Sequence, residues 1–203
     1  MIIGFTGKMG TGKTTTATLL CKALQDSRLS ARVFSFGHAV RQEVSKKYSI
    51  PVHWLYSQEG KAKVFNTANL DPALVPPACR ESGLMNGRQA LQWYATEVVR
   101  AKDPDYWVRK TAEAIDVARR EDRLRVAIID DVRFPNELAY VHRNGVCYRI
   151  CPYDGWQPGF ASGHVSETAL DQCIVDREFE PAYGELPVLV LDLFETVRGV
   201  YNV

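Results

Sequence analysis

Two short stretches of this 203-residue chain carry side chains suited to phosphate chemistry. The first is "GKMGTGKT", Gly7 to Thr14. Glycines at these spacings let the backbone turn tightly and aim several N–H groups at one point. Lys13 adds a cation that can reach phosphate oxygens, and Thr14 adds a hydroxyl that can ligate a divalent metal. The second stretch is "IIDDVRFPNE", Ile128 to Glu137. There an apolar run ends in two acids and a base. A carboxylate at such a strand end, Asp130 or Asp131, could hold a metal through water or act near an acceptor. The competing reading is a pair of solvated acids capping the turn before Pro135.

For the first stretch to bind phosphate, a strand must lead into it and a helix must lead out. "MIIGFT", Met1 to Thr6, is an apolar run fit for a buried strand. Thr14 to Gln25 has helical spacing, with Ala17, Leu20, Cys21 and Leu24 on one face. The match to G-x-x-x-x-G-K-[ST] therefore has the context of a P-loop, where the positive end of the helix dipole adds to the amides. Gly7, Met9, Gly10, Thr11, Gly12, Lys13, Thr14 and Thr15 are the candidate ATP-contacting residues. Further strands are expected at Ala31 to Phe36, Arg125 to Asp130, "VCYRIC" and near Cys173 to Val175. Helices are expected over His38 to Tyr48, Gly87 to Lys102, about Tyr106 to Arg120, "PNELAYVHRNG", Ser166 to Leu170 and from about Leu189 onward. Ser49 to Asn86, with four prolines, reads as an irregular insert carrying one or two short helical turns near Ser57 to Val64. Alternating strands and helices predict an α/β chain with a parallel sheet flanked by helices, a P-loop NTPase fold. One domain over 1–203 is expected, with an acceptor-binding insert at about 38–103 and a lid at about 133–145.

The remaining bulk features narrow the class. Lysine plus arginine number 25 against 24 acids, so the net charge of +1 gives no global pull toward nucleic acid or acidic membrane. Five cysteines, with no C-x-x-C pair, read as reduced thiols of a cytoplasmic protein. No signal peptide and no transmembrane run is indicated. A GTPase would carry a guanine-reading "NKxD" stretch, and none is present; helicase and AAA-type motors are generally longer. A small kinase is the best remaining class.

A kinase acting on a nucleotide monophosphate needs no strong base, because the acceptor phosphate is already anionic. It needs cations to align two polyanions, which suits arginine. Candidates are Arg41, Arg88, Arg100, Arg133 and Arg149, each weighed against a solvated helix residue. Asp130 is a further candidate beside the acceptor. Trp54, Tyr56, Trp93, Tyr94 and Trp107 could stack on a base. Core packing is favoured for Trp107, and for Trp93 both readings stay open.

"GFTGKMGTGKTT", "GRQALQWYATEVVR", "DYWV", "IDDVRFPNE" and "HVSET" together resemble the deoxynucleoside monophosphate kinases of tailed phages. The resemblance spans Ile3 to about Thr168. It implies transfer from ATP, with Mg²⁺, to a dNMP. It carries Lys13 and Thr14 over as ATP and metal residues, and Asp131 and Arg133 as active-site residues. Asp131 would join Thr14 at Mg²⁺. Arg88 and Arg100 match arginines of the acceptor region. His164, Ser166 and Glu167 match an H-x-S-E motif whose role is open between ligand contact and helix capping. The chain departs from the family at "ATE", usually "GTE", and at "CIVDREFEP". The implied partner is a small nucleotide, with no stable nucleic-acid complex and no membrane; a homodimer is left open, and the location is the cytoplasm, that of the host for a phage-encoded chain. Two alternatives remain. One is a P-loop kinase acting on a hydroxyl of a nucleoside or of a hydroxymethylated base in DNA, where Asp130 or Asp131 would be the base. The other is a nucleotide-binding interaction protein with slow hydrolysis.

Overall fold

A computed structural model of the chain describes residues 1–157, 165–182 and 184–201. Its elements begin with β1 (Ile2–Thr6), α1 (Lys13–Asp26), β2 (Ala31–Phe34), α2 (Phe36–Tyr48), α3 (Gln58–Ala62), β3 (Val64–Asn66), α4 (Pro77–Arg80), β4 (Leu84–Asn86) and α5 (Gly87–Trp93). They continue with α6 (Tyr106–Glu121), β5 (Val126–Ile129), α7 (Pro135–Asn144), β6 (Gly145–Ile150), α8 (Val165–Thr168), β7 (Arg177–Phe179) and α9 (Leu186–Tyr201). The chain packs as two units, Met1–Ser35 with Thr111–Val203, and Phe36–Lys110.

The first unit is built on a five-stranded sheet in the order β2-β5-β1-β6-β7, with every pairing parallel. β1 and β5 are buried along their whole length, as continuous apolar runs demand. Side chains alternate between the two faces. Ile3 and Phe5 of β1 join Leu20 and Leu24 of α1 and Leu189, Leu193 and Val197 of α9 in one core cluster. Gly4, between them, faces the other way, and a Cβ there would touch Val141 of α7 at 2.9 Å. Helices therefore cover both faces, giving the expected parallel α/β layering.

Two expectations for this unit change. Residues 133–145, expected as a lid, are largely α7, whose Leu138 and Val141 are buried against the sheet. The apolar spacing of "PNELAYVHRN" makes an amphipathic helix that the core retains. The last strand is not at Cys173 to Val175. Arg177–Phe179 pairs with β6 instead, Tyr148 opposite Arg177, while Ile174 is 88% exposed.

In the second unit, β3 and β4 form an antiparallel pair within the segment expected to be irregular. The helix expected over Gly87 to Lys102 is α-helical only to Trp93 and widens to π-helical turns over Tyr94–Arg100. A cause is visible at Ala95: its carbonyl accepts the Trp107 indole N–H at 3.1 Å, a side chain inserted into the helical ladder. Trp107, 1% exposed, sits among Val40, Val44, Tyr48, Leu55, Met85 and Tyr94. The five cysteines are free thiols. Among the described residues, no helix is long and apolar enough to cross a membrane.

Candidate active site

The site forms where β1 and β5, neighbours in the sheet, reach their C-terminal ends. From Thr6 the chain turns through the glycine-rich loop into α1. Gly7 has φ 134°, and a Cβ there would lie 2.2 Å from the Ile150 carbonyl oxygen on β6, so only glycine fits. Gly12, at φ 96°, caps α1 in the left-handed region. The loop also holds itself. Thr11 Oγ1 and Lys13 Nζ both donate to the Lys8 carbonyl, at 3.0 and 2.5 Å.

Lys13 is 7% exposed. Burial is the main influence on its ammonium and Arg133 the next; the carboxylates of Asp131 and Asp130 oppose them, and the pKa is lowered to about 7. A buried lysine so destabilised in its charged form marks a cradle short of negative charge. Polyphosphate would supply that charge.

Thr14 Oγ1, in the first turn of α1, donates to Asp130 Oδ2 at 2.7 Å. Asp130 is 9% exposed and follows directly on β5. Asp131, expected beside Thr14, instead accepts from Ser35 Oγ at 2.6 Å. The acid that meets Thr14 is thus Asp130. A hydroxyl and a carboxylate are hard oxygen donors that fit Mg²⁺, which keeps waters and substrate phosphates in its shell. Among the described residues, no group of three or more His, Cys, Asp or Glu could hold a metal without such added ligands.

Arg133 starts from a fixed backbone. Its N–H and that of Phe134 both donate to Glu137 Oε2, at 2.8 and 3.1 Å, and Glu137 is 2% exposed. The guanidinium Nη1 donates to the Ser166 carbonyl at 3.2 Å and pairs with Glu167 Oε1. Glu167 Oε2 accepts the Met9 N–H at 2.9 Å. Lys8 Nζ donates to the Glu167 carbonyl at 2.7 Å and to Asp171 at 2.5 Å. The Trp156 indole N–H donates to the Met9 carbonyl at 3.0 Å. Lys8, Arg133, Arg149, Ser166 and Glu167 line a cleft of about 80 Å³. That volume is far below the ~300 Å³ of small-molecule pockets. On the other side of the loop, Thr14 and Thr15 face solvent.

The structure thus brings Gly7, Met9, Gly10, Thr11, Gly12, Lys13, Thr14, Asp130, Asp131 and Arg133 to one end of the first unit's sheet. Arg149 serves the fold: Nη2 donates to the carbonyls of Leu170 and Cys173, each at 2.7 Å, and Nη1 pairs with Glu178. In the second unit, Arg41 lies over the Tyr56 ring at 5.0 Å, and Arg88 donates to Gln58 Oε1 at 2.6 Å. Tyr56 also bonds His38 Nδ1 at 2.9 Å. Arg100 donates to the Pro104 carbonyl at 3.3 Å. Trp93, half-buried, lies against that unit's core and donates its indole N–H to the Ala73 carbonyl at 2.9 Å. His164 falls outside the described residues. Sequence reading did not single out Lys8, Ser35, Glu137 or Trp156. Of these only Glu137 had a visible signal, an acid three residues after Phe134 at a helix start.

No family model matches the chain, and no curated protein matches it. Solved structures resemble it in chain trace, among them three kinases. An APS kinase variant from Mycobacterium tuberculosis is 12% identical, with a TM-score of 0.41 over 97% of this chain and 96% of that one. The shikimate kinase of Aquifex aeolicus is 11% identical, with a TM-score of 0.41 over 99% and 98%. The shikimate kinase of Acinetobacter baumannii, in complex with shikimate, is 11% identical, with a TM-score of 0.42 over 98% and 93%. Each is a distant likeness of shape, and none bears on what this chain acts on.

Proposed function

We propose that this chain is a P-loop phosphotransferase that moves the γ-phosphoryl group of ATP to a deoxynucleoside monophosphate. The observation that carries the reading is the Thr14–Asp130 hydrogen bond of 2.7 Å beside the buried Lys13. It joins the phosphate loop to a carboxylate at the end of the adjacent strand, the pairing that Mg²⁺ use requires. Bound Mg²⁺ would neutralise charge on the β- and γ-phosphates.

The chain's own groups would do the rest. Loop amides and Lys13 hold the polyphosphate, and Thr14 and Asp130 face the metal. Arg133 offers a fork to the transferring group. An acceptor phosphate oxygen bonds to the γ-phosphorus as the bond to the β–γ bridging oxygen breaks, leaving ADP. No proton need leave the acceptor, so no general base is assigned. The monophosphate acceptor is supported by the resemblance in "DVRFPNE" and "GRQALQ", and by Arg41 standing over one exposed aromatic, Tyr56.

One observation favours a second reading. Asp131 is not used by Thr14 and is oriented by Ser35 Oγ. Transfer to a hydroxyl would need such a carboxylate to take the proton. Incubation with ATP, Mg²⁺ and a panel of dNMPs, nucleosides and hydroxymethylated DNA, followed by ADP release, separates the two. Turnover confined to monophosphates is the expected result. Turnover confined to hydroxyl acceptors overturns the first reading, and acceptor-independent release overturns both.

A further inference from the structure

Glu167 has no part in the reaction as drawn above, yet it is a carboxylate only 5% exposed at the edge of the site. Burying a charge is unfavourable unless partners offset it. Its two partners both belong to the phosphate machinery. Oε2 takes the Met9 N–H of the loop, and Oε1 takes the Arg133 guanidinium. A single carboxylate therefore spans from the loop to the arginine. Among the described residues, both contacts of that guanidinium are made by Nη1 alone, to Ser166 and Glu167. A phosphate would be met by Nε and Nη2 of the same fork. Lys8 pins the other side of the segment through the Glu167 carbonyl and Asp171.

We propose that Glu167 is a positioning residue. It fixes the Arg133 fork at a set distance from the glycine-rich loop, so that the arginine meets the transferring phosphoryl group already oriented. This rests on the phosphotransferase reading. The neighbouring cations give the segment a task beyond capping: the Ser166 carbonyl and the Glu167 carboxylate together hold one nitrogen of a fork whose geometry is rigid and planar. Orientation held before binding is where a small displacement costs rate rather than affinity.

The test uses Glu167→Gln, which keeps shape and removes charge, with Arg133→Lys and the double variant. Glu167→Gln should lower kcat about 10- to 100-fold with KM for ATP within about threefold. The double variant should be no slower than Arg133→Lys alone, since both act through one fork. Nitrogen-15 spectra of the arginine side chains give a readout that needs no turnover. Arg133 should show two distinct Nη signals in the wild type, averaged by free rotation in Glu167→Gln. Unchanged kcat in Glu167→Gln, additive losses in the double variant, or tighter ATP binding each overturn the proposal. The last would make Glu167 a plug that phosphate displaces. If the wild type phosphorylates no acceptor, the phosphotransferase reading fails by itself. The spectra still decide: averaged Nη signals in the wild type sink the positioning role, and distinct ones sustain the anchoring.

Discussion

ATP binding should draw a proton into this protein near neutral pH. Without nucleotide the Lys13 ammonium titrates at about 7, because burial and Arg133 outweigh the two aspartates. A polyphosphate in the cradle favours the charged form and returns the pKa toward the ordinary 10.5. The free protein then carries about a tenth of a proton at pH 8 and about half at pH 7, while the complex carries nearly a whole one. Binding should thus take up about 0.9 proton at pH 8, about 0.5 at pH 7 and about 0.1 at pH 6. Affinity should fall roughly tenfold for each pH unit between about 8 and 10. The assay is calorimetric titration with a non-transferable ATP analogue and saturating Mg²⁺, at fixed pH, in buffers of different ionisation enthalpy. Lys13→Met serves as the control and should show none of this uptake. The same lysine makes the nucleotide-free fold more stable as pH rises from 7 to 10. Its folded pKa lies below its unfolded one, so the unfolded chain holds more protons in that window. Saturable binding with no uptake at pH 8, or equal uptake by Lys13→Met, would refute the account of the cradle as short of negative charge.

Other substitutions test other parts of the structure. Asp130→Asn should cut kcat at least about 100-fold at fixed Mg²⁺ and raise the Mg²⁺ needed, whereas Asp131→Asn should cost less than about tenfold with a monophosphate acceptor; equal losses in steady-state assays would point to a hydroxyl acceptor. Gly7→Ala meets both a φ of 134° and a carbonyl 2.2 Å from the new Cβ, so it should cost about 3 kcal/mol or more in denaturant unfolding. A cost under about 0.5 kcal/mol would show that the loop relaxes. Leu193→Ala removes a side chain 2% exposed between α9 and the sheet and should cost about 2–5 kcal/mol by the same measurement.

Much of the first unit could be read from the chain because its signals are local. The apolar run into β1, the glycine loop and the spacing of Ala17, Leu20 and Leu24 each stand within a few residues of one another, and β1 and α1 begin and end close to where they are expected. The signals that failed depend on distant partners. Cys173 to Val175 looks more strand-like than Arg177–Phe179, but the edge position beside β6 is set by pairing with Tyr148–Ile150 and by Phe179 packing near Tyr148. The β3–β4 pair joins segments 18 residues apart whose three-residue strands carry no periodic pattern of their own. Trp93 and Trp107 are alike in sequence; only the structure shows Trp107 buried in the core and Trp93 half-buried, its indole on the Ala73 carbonyl. Glu167 was visible as part of a motif, yet its partners lie 158 and 34 residues away.

The choice between Asp130 and Asp131 shows what was missing from the sequence. Val126 to Ile129 are all buried because β5 lies between β2 and β1 with both faces covered. In such a strand the hydrophobic pattern is continuous and does not report which residue faces which side. Only one further fact is needed, the face that α1 occupies. Val126 and Ile128 belong to the core cluster that α1 shares with Ile3 and Phe5. Alternation then carries Asp130, which follows directly on the strand, toward the same face. Thr14 stands in the first turn of α1, so it meets Asp130 and not its neighbour. Asp131, one residue further past the strand, meets Ser35 at the end of β2. That Thr14 meets Asp130 therefore follows from strand geometry once the helix is placed, while Asp131, held by Ser35, stays close enough for its charge to act on Lys13.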